Sequence, residues 1–144
     1  MKIEISRVKE PSARLVEAFE RLLPQLSSSA TMPTAEHIER MVASELLYLL
    51  VASDESGEIV GMLSLVVLDI PTGRKAYIED VVTDAVCRGC GVGQRLVEEA
   101  ICIARSEGVK RIYLTSNPTR EAAHALYQKC GFERYDTFVF RYEV

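Results

Sequence analysis

Residues Cys87–Gln94 read CRGCGVGQ, and the chain continues as RLVEEAICIARSEG through Gly108. The cysteine pair suggests a metal or redox site, and the alternating glycines suggest a cradle for phosphate. A structural zinc site needs about four ligands, usually two cysteine pairs or cysteines with histidines. Cys87 and Cys90 have no second pair, while His37 and His124 stand on separate predicted helices, so no metal is expected. A thioredoxin-like pair sits at a helix start after a strand, where the dipole lowers the thiol pKa. The position is close, but the Arg-Gly interior and the glycine-rich sequel are poor company for that chemistry, which would require a low-pKa thiol at Cys87. The phosphate reading accounts for more residues. Gly89, Gly91 and Gly93 let backbone approach a ligand without Cβ obstruction. They precede a helical pattern whose free first-turn N–H groups and dipole favour anions, and Arg88 adds a cation suited to phosphate oxygens. Gln94 stands where a dinucleotide fingerprint needs glycine, and no Gly-Lys-Ser/Thr follows as a P-loop requires. A glycine-rich turn that binds nothing is the plain alternative.

The surroundings are those of one α/β domain, residues 1–144. The chain has 144 residues, enough for one core of its own. Its hydrophobic content of 48% and charged content of 26% are ordinary for a globular protein. A net charge of −4 and a pI near 5.3 argue against general binding to nucleic acid or an anionic membrane. Nothing resembles a secretory signal, and no apolar run approaches the roughly 18 residues of a span. Four scattered cysteines (Cys87, Cys90, Cys102, Cys130) do not make a disulfide framework, so a reducing cytoplasm is the expected setting.

Alternation predicts a strand over Lys2–Val8 and one or two more over Phe132–Val144, and apolar or β-favouring runs predict strands over Leu46–Ser53, Ile59–Ile70, Ala76–Asp84 and Arg111–Thr115. Helical spacing predicts a helix from Pro11 to Pro24, another capped by Thr34, and a third from Gly91 to Gly108. Asn117-Pro118 reads as an N-cap and first position of a fourth, ending at Gly131. The order is β-α-α-β-β-β-α-β-α-β, a mixed sheet flanked by helices.

Arg88–Gly93 resembles the R/Q-x-x-G-x-G/A signature of the GNAT superfamily of acyl-CoA-dependent N-acetyltransferases. Tyr77–Asp84 (YIEDVVTD) is similar to that family's preceding strand, and Asn117–Phe132 (NPTREAAHALYQKCGF) to its following motif, which usually ends in LYxxxGF. The resemblance is strong from Tyr77 to Phe132, where three motifs occur in the family's order. It implies a GNAT-like acyl-CoA N-acyltransferase fold, with acetyl-CoA as co-substrate and the loop Arg88, Gly89, Cys90, Gly91, Val92, Gly93, Gln94 at the pyrophosphate. It also implies that the pantetheine arm lies between two splayed parallel strands, here Ala76–Asp84 and Arg111–Ser116. Backbone groups of Val81, Val82 and Thr83 would hold the arm, with the N–H of Val81 or Val82 near the thioester oxygen. Such a donor would stabilise the tetrahedral oxyanion.

The implied reaction is direct attack of an amine on the thioester in a ternary complex. A free alkyl amine lies about 4 kcal/mol above its protonated form at neutral pH, so a carboxylate able to take the proton is useful. Glu79 stands where many relatives carry such a base, and Asp80, on the opposite face of a regular strand, is second choice. A solvated strand carboxylate is the plain alternative for Glu79. Tyr127 matches the tyrosine whose hydroxyl reaches the thioester sulfur, although a core tyrosine would look the same. Asn117 matches a position that often contacts pantetheine, and it also reads as a helix cap. Arg120 stands where many relatives have a second Asn; it could reach a phosphate. His124 reads as partly exposed, and His37 is a weak candidate for the acceptor side.

The expected function is acetyl transfer from acetyl-CoA to a primary amine, with no nucleic-acid or membrane partner. The string IEDVV (Ile78–Val82) also resembles glucosamine-6-phosphate N-acetyltransferases, but small amines, amino sugars and peptide or protein amines all stay open as acceptors. A non-catalytic acyl-CoA-binding sensor would keep the loop while making Glu79 and Tyr127 dispensable. The aromatic final segment (Tyr135, Phe138, Phe140, Tyr142) suggests core on one face and a homodimer interface on the other.

Overall fold

The computed structural model describes residues 2–144. Nine elements follow in the order β1 (Glu4–Arg7), α1 (Ala13–Leu26), α2 (Ala35–Ala43), β2 (Leu47–Ser53), β3 (Ile59–Ile70), β4 (Gly73–Thr83), α3 (Val92–Ser106), β5 (Ile112–Tyr113) and α4 (Glu121–Lys129). The strands form one sheet in sequence order, antiparallel from β1 through β4, with β5 added parallel to β4. A mixed sheet with helices on both faces is the architecture expected from the pattern.

Each face has its own core. Leu63, Leu65, Val67, Ala76 and Ile78 pack with Val92, Leu96, Val97 and Ala100 of α3 and with Tyr127 of α4. On the other face Leu15, Ala18, Phe19 and Leu22 of α1 and Ile38 of α2 cover Leu49, Val51, Met62 and Val82. Side chains alternate across a strand, so a strand buried on both faces reads as the continuous apolar run seen in β2 and β3.

Local chemistry explains the helix starts. The Ser12 hydroxyl accepts from Leu15 N–H at 3.1 Å and that of Thr34 from His37 N–H at 3.1 Å. Three expectations need correction. Pro24 does not end α1, which runs on to Leu26. The missing N–H forfeits only the bond to Glu20 C=O, an exposed residue whose carbonyl water can serve, and Ser27 N–H still reaches Leu23 O at 3.0 Å. Asn117 does not cap α4, which starts at Glu121 after Arg120. Its Oδ1 accepts instead from Thr119 N–H and Thr119 Oγ1, at 2.9 and 2.8 Å, so it closes a turn of its own. Finally, Phe132–Val144 form no strand; the alternation is present, but no edge of the described sheet pairs with it.

Candidate active site

The decisive irregularity lies in β4. Met62 pairs with Val82 but Ser64 with Glu79, so Leu63 alone faces Asp80 and Val81. This is a β-bulge, and Asp80 takes φ +51°, a left-handed conformation that aspartate tolerates better than most residues. The extra residue reverses the alternation. Ala76 and Ile78 enter the α3/α4 core, whereas Val82 enters the α1/α2 core. Glu79 and Asp80 are therefore not simply on opposite faces of a regular strand, as their spacing suggested.

The bulge also sets which backbone groups are free. Asp84 N–H donates to Val60 O at 2.8 Å, toward β3. Groups alternate in direction along an antiparallel strand, so the Val82 N–H turns toward β3 and those of Val81 and Thr83 turn outward. On that outward side β5 pairs only with Ala76 and Tyr77. Past Tyr77 the two parallel strands separate, leaving the β4 edge from Glu79 to Thr83 without a strand partner among the described residues. The expected splay thus begins earlier than the expected strand Arg111–Thr115 implied, because β5 comprises only Ile112 and Tyr113.

β4 leads into a single 3-10 turn, Ala85–Cys87, and then into the glycine loop. Gly89 and Gly91 have φ of +82° and +78°, and a Cβ on either would meet nothing within 4 Å. These glycines are needed for backbone conformation, and they leave open space above the loop. Gly93 differs: a Cβ there would come within 3.0 Å of Leu126 and 3.5 Å of Thr83 Oγ1. Its absence lets α3, α4 and the end of β4 converge. Gly91 caps α3 with no side-chain acceptor, so the first-turn N–H groups of Val92, Gly93 and Gln94 have no partner in the helix. The dipole makes this end favourable for an anion. Arg88 is exposed beside it and is in no ion pair among the described residues. Val82 and Val92 are buried side chains, so only their backbone faces a ligand. Cys90 is exposed, and the Gln94 amide donates to Glu98 at 2.8 Å. The free N–H groups, left-handed glycines and neighbouring cation fit a pyrophosphate.

Glu79 is exposed on the face of the sheet that carries α1 and α2. Partial desolvation, with the Asp80 carboxylate beside it, raises its pKa above the ordinary carboxylate value. Tyr127 comes from the other face. It is 8% exposed, with its ring 6.0 Å from that of Phe132. Burial raises its pKa, and the charge of Arg120 partly offsets this. Its hydroxyl makes no hydrogen bond and is not a fully enclosed orphan; among the described residues that description fits only Ser116 Oγ, just after β5. Glu79 and Tyr127 thus come from opposite faces of the sheet. Asn117 is exposed in the turn between β5 and α4, with its carbonyl oxygen engaged locally, and His124 is half-buried on α4. His37 lies exposed on α2 against Arg40. Burial and nearby acids, Asp84 first among them, raise the Cys87 pKa, opposite to the lowered thiol pKa that a thioredoxin-like pair uses. All four thiols are free, and no group of three metal-ligating side chains occurs among the described residues.

Sequence reading missed the device that holds the loop. Asp84, 6% exposed, is the one buried charged side chain of the described residues. It accepts from Arg21 Nε at 3.1 Å, Val86 N–H at 3.3 Å and Gln25 Nε2 at 3.4 Å, while Gln25 Oε1 accepts from Ala85 N–H at 2.8 Å. Arg21 also bonds Ile59 O and pairs with Glu58 at 3.3 Å. One turn of α1 thus fixes the backbone that enters the glycine loop. The only signal in the sequence is a polar pair four apart on an otherwise amphipathic helix.

Residues 13–132 match the family whose model is described as the Acetyltransferase (GNAT) family. The glucosamine 6-phosphate N-acetyltransferase of Trypanosoma brucei brucei is 37% identical over 84 residues, 56% of this chain and 55% of that one. Glucosamine 6-phosphate N-acetyltransferase 1 of Oryza sativa subsp. japonica is 38% identical over 60 residues, 42% of this chain and 34% of that one. The chain thus spans about a third to about half of the length of these curated relatives. The crystal structure of glucosamine-6-phosphate N-acetyltransferase from Arabidopsis thaliana superposes with a TM-score of 0.82 over 99% of both chains at 22% identity, a likeness of fold. No helix of the described residues is long and apolar enough to cross a membrane.

Proposed function

Because the chain belongs to the acetyltransferase (GNAT) family, we propose that it transfers the acetyl group of acetyl-CoA to a primary amine. The observation that carries this reading is the continuity of three features: a bulged, unpaired β4 edge, a loop of left-handed glycines, and the free first turn of α3. Acetyl-CoA supplies an activated acyl carbon as its thioester. The chain's own residues do the rest. Backbone N–H groups of Val92, Gly93 and Gln94, with Arg88, neutralise the pyrophosphate through dipole and charge. The outward Val81 N–H would donate to the thioester oxygen as negative charge develops there, which the Val82 N–H, turned toward β3, would not. Glu79 accepts the proton of the incoming amine, and its raised pKa makes it a better base than an ordinary carboxylate. The Tyr127 hydroxyl donates to the departing sulfur, and its raised pKa keeps it protonated for that task.

The names of the curated relatives make a phosphorylated amino sugar the first acceptor to test, and we propose a reducing cytoplasm as the compartment. Incubation with acetyl-CoA and separate amines (glucosamine 6-phosphate, a polyamine, an aminoglycoside, a lysine peptide), with mass spectrometry of products, tests the proposal. One N-acetylated product formed only with enzyme supports it. CoA binding without any acetylated product would favour the sensor reading.

A further inference from the structure

Before its bulge β4 is regular: Lys75 pairs with Leu68, Tyr77 with Val66 and Glu79 with Ser64. Every second side chain of a strand shares a face. Lys75, Tyr77 and Glu79 therefore form one row, opposite the Ala76 and Ile78 that enter the α3/α4 core. On the neighbouring strand Tyr113 stands level with Tyr77, their ring centroids 5.7 Å apart and their planes 31° apart. The two rings make a plate that lies two residues, or about 7 Å, along the strand from Glu79. The helices on this face stop short of it. They cover Met62 and Val82, whereas Tyr77 is 36% exposed and Val66 beside it is half-buried. Lys75 closes the far end of the row. Its ammonium lies 5.7 Å over the Tyr113 ring, so the side chain reaches back onto the plate. It is half-buried and in no ion pair among the described residues.

We propose that this row is the acceptor subsite, and that it selects an amine carried on a ring or similarly flat body with an anionic group on its far side. The proposal rests on the acetyl-transfer reading with Glu79 as base, and it names the acceptor class which that reading leaves open. The amine meets the Glu79 carboxylate, the body lies on the Tyr77 and Tyr113 rings, and the anion meets the Lys75 ammonium. An apolar wall with a few fixed polar groups is the ordinary make-up of a small-molecule site. The order carboxylate, rings, ammonium is complementary to such a zwitterion. It opposes a polyamine, whose second ammonium would face Lys75 with like charge. The net charge of −4 on the whole chain does not decide this, because the acceptor meets the local charges of the row.

Glucosamine 6-phosphate and glucosamine share the amine and the ring and differ in the anion, so the ratio of their kcat/KM values isolates the far end of the row. With acetyl-CoA saturating, the wild type is expected to favour the phosphorylated sugar by about tenfold or more, the scale of one charge-assisted hydrogen bond. Lys75→Met keeps the apolar stem and loses the charge; it should bring the ratio close to one, mainly through KM for the phosphorylated sugar. Lys75→Arg should keep most of the preference, and Tyr77→Ser should raise KM for both sugars, each variant compared at unchanged circular dichroism. Spermidine should be a poorer acceptor than glucosamine 6-phosphate. A wild-type ratio near one, a preference that survives Lys75→Met, or turnover confined to spermidine or a lysine peptide would overturn the acceptor assignment and leave acetyl transfer standing. Failure to acetylate any of these amines would instead overturn the acetyl-transfer reading, and this proposal with it.

Discussion

Replacing Asp84 by Ala removes one carboxylate and tests whether α1 holds the glycine loop. The carboxylate accepts three hydrogen bonds, one from the Arg21 guanidinium and two from neutral donors, of which the Gln25 bond is long at 3.4 Å. A hydrogen bond to a charged group contributes about 1.5–3 kcal/mol and a neutral one about 1 kcal/mol. Losing one partner of a buried ion pair costs about 3–5 kcal/mol. Arg21 keeps Glu58 and Ile59 O, and its side chain is 31% exposed, which moderates the cost of leaving it behind. The expected loss is about 2–4 kcal/mol in urea unfolding, or a melting temperature lower by roughly 8–15 °C for a chain of this size. Asp84→Asn keeps an acceptor for Val86 N–H and should lose about half as much. Affinity for CoA, measured by calorimetry on the folded variants, should fall as well, because Ala85 and Val86 lead directly into the loop. A stability loss under about 1 kcal/mol would refute the geometry. A large stability loss with unchanged CoA affinity would refute the link between the clamp and the loop.

Gly91→Ala forces an ordinary residue to φ +78°; it should cost about 1–2 kcal/mol of stability and weaken CoA binding, both read from calorimetry. Tyr127→Phe should leave acetyl-CoA affinity within a few-fold while lowering kcat roughly a hundredfold, the lower end for a lost general acid. Glu79 must be ionised to act as a base, so activity should fall as pH drops through its raised pKa, and Glu79→Gln should remove that acid limb. The stability effect has the opposite sign: a carboxylate whose pKa is higher in the folded state destabilises the fold above its unfolded pKa. Glu79→Gln should therefore be no less stable at neutral pH, while losing activity, as parallel melts and rate profiles would show. Cys87 is buried with a raised pKa and Cys90 is exposed, so timed alkylation at neutral pH with peptide mapping should label Cys90 first and Cys87 slowly.

What was legible in the sequence was what local rules decide. The apolar runs of β2 and β3, the Ser12 and Thr34 ends of α1 and α2, and the switch to helical spacing at Gly91 all depend on near neighbours. The glycine loop was legible because positive φ and a free helix start leave a mark on composition. The bulge at Asp80 was not, since Glu-Asp in a strand reads the same whether regular or bulged, and the register against Met62 and Ser64 decides it. Nor was the Asp84 clamp, whose partners Arg21 and Gln25 lie about sixty residues away in sequence. The end of the chain shows the converse: Phe138–Val144 has the pattern of a strand, yet pattern alone cannot supply the edge it needs. Asn117-Pro118 has the sequence of a helix cap, because Asn-Pro opens many helices. The Asn117 side chain instead closes on Thr119, which delays α4 to Glu121.

Release of free CoA thiol from acetyl-CoA, followed with and without each amine, tests the central claim most directly when wild type is compared with Glu79→Gln and Tyr127→Phe. The account predicts release that depends on one class of amine and is impaired in both variants while their CoA binding persists. Amine-dependent release at full rate in both variants would contradict the assigned roles, and failure of the wild type to bind CoA would contradict the site itself.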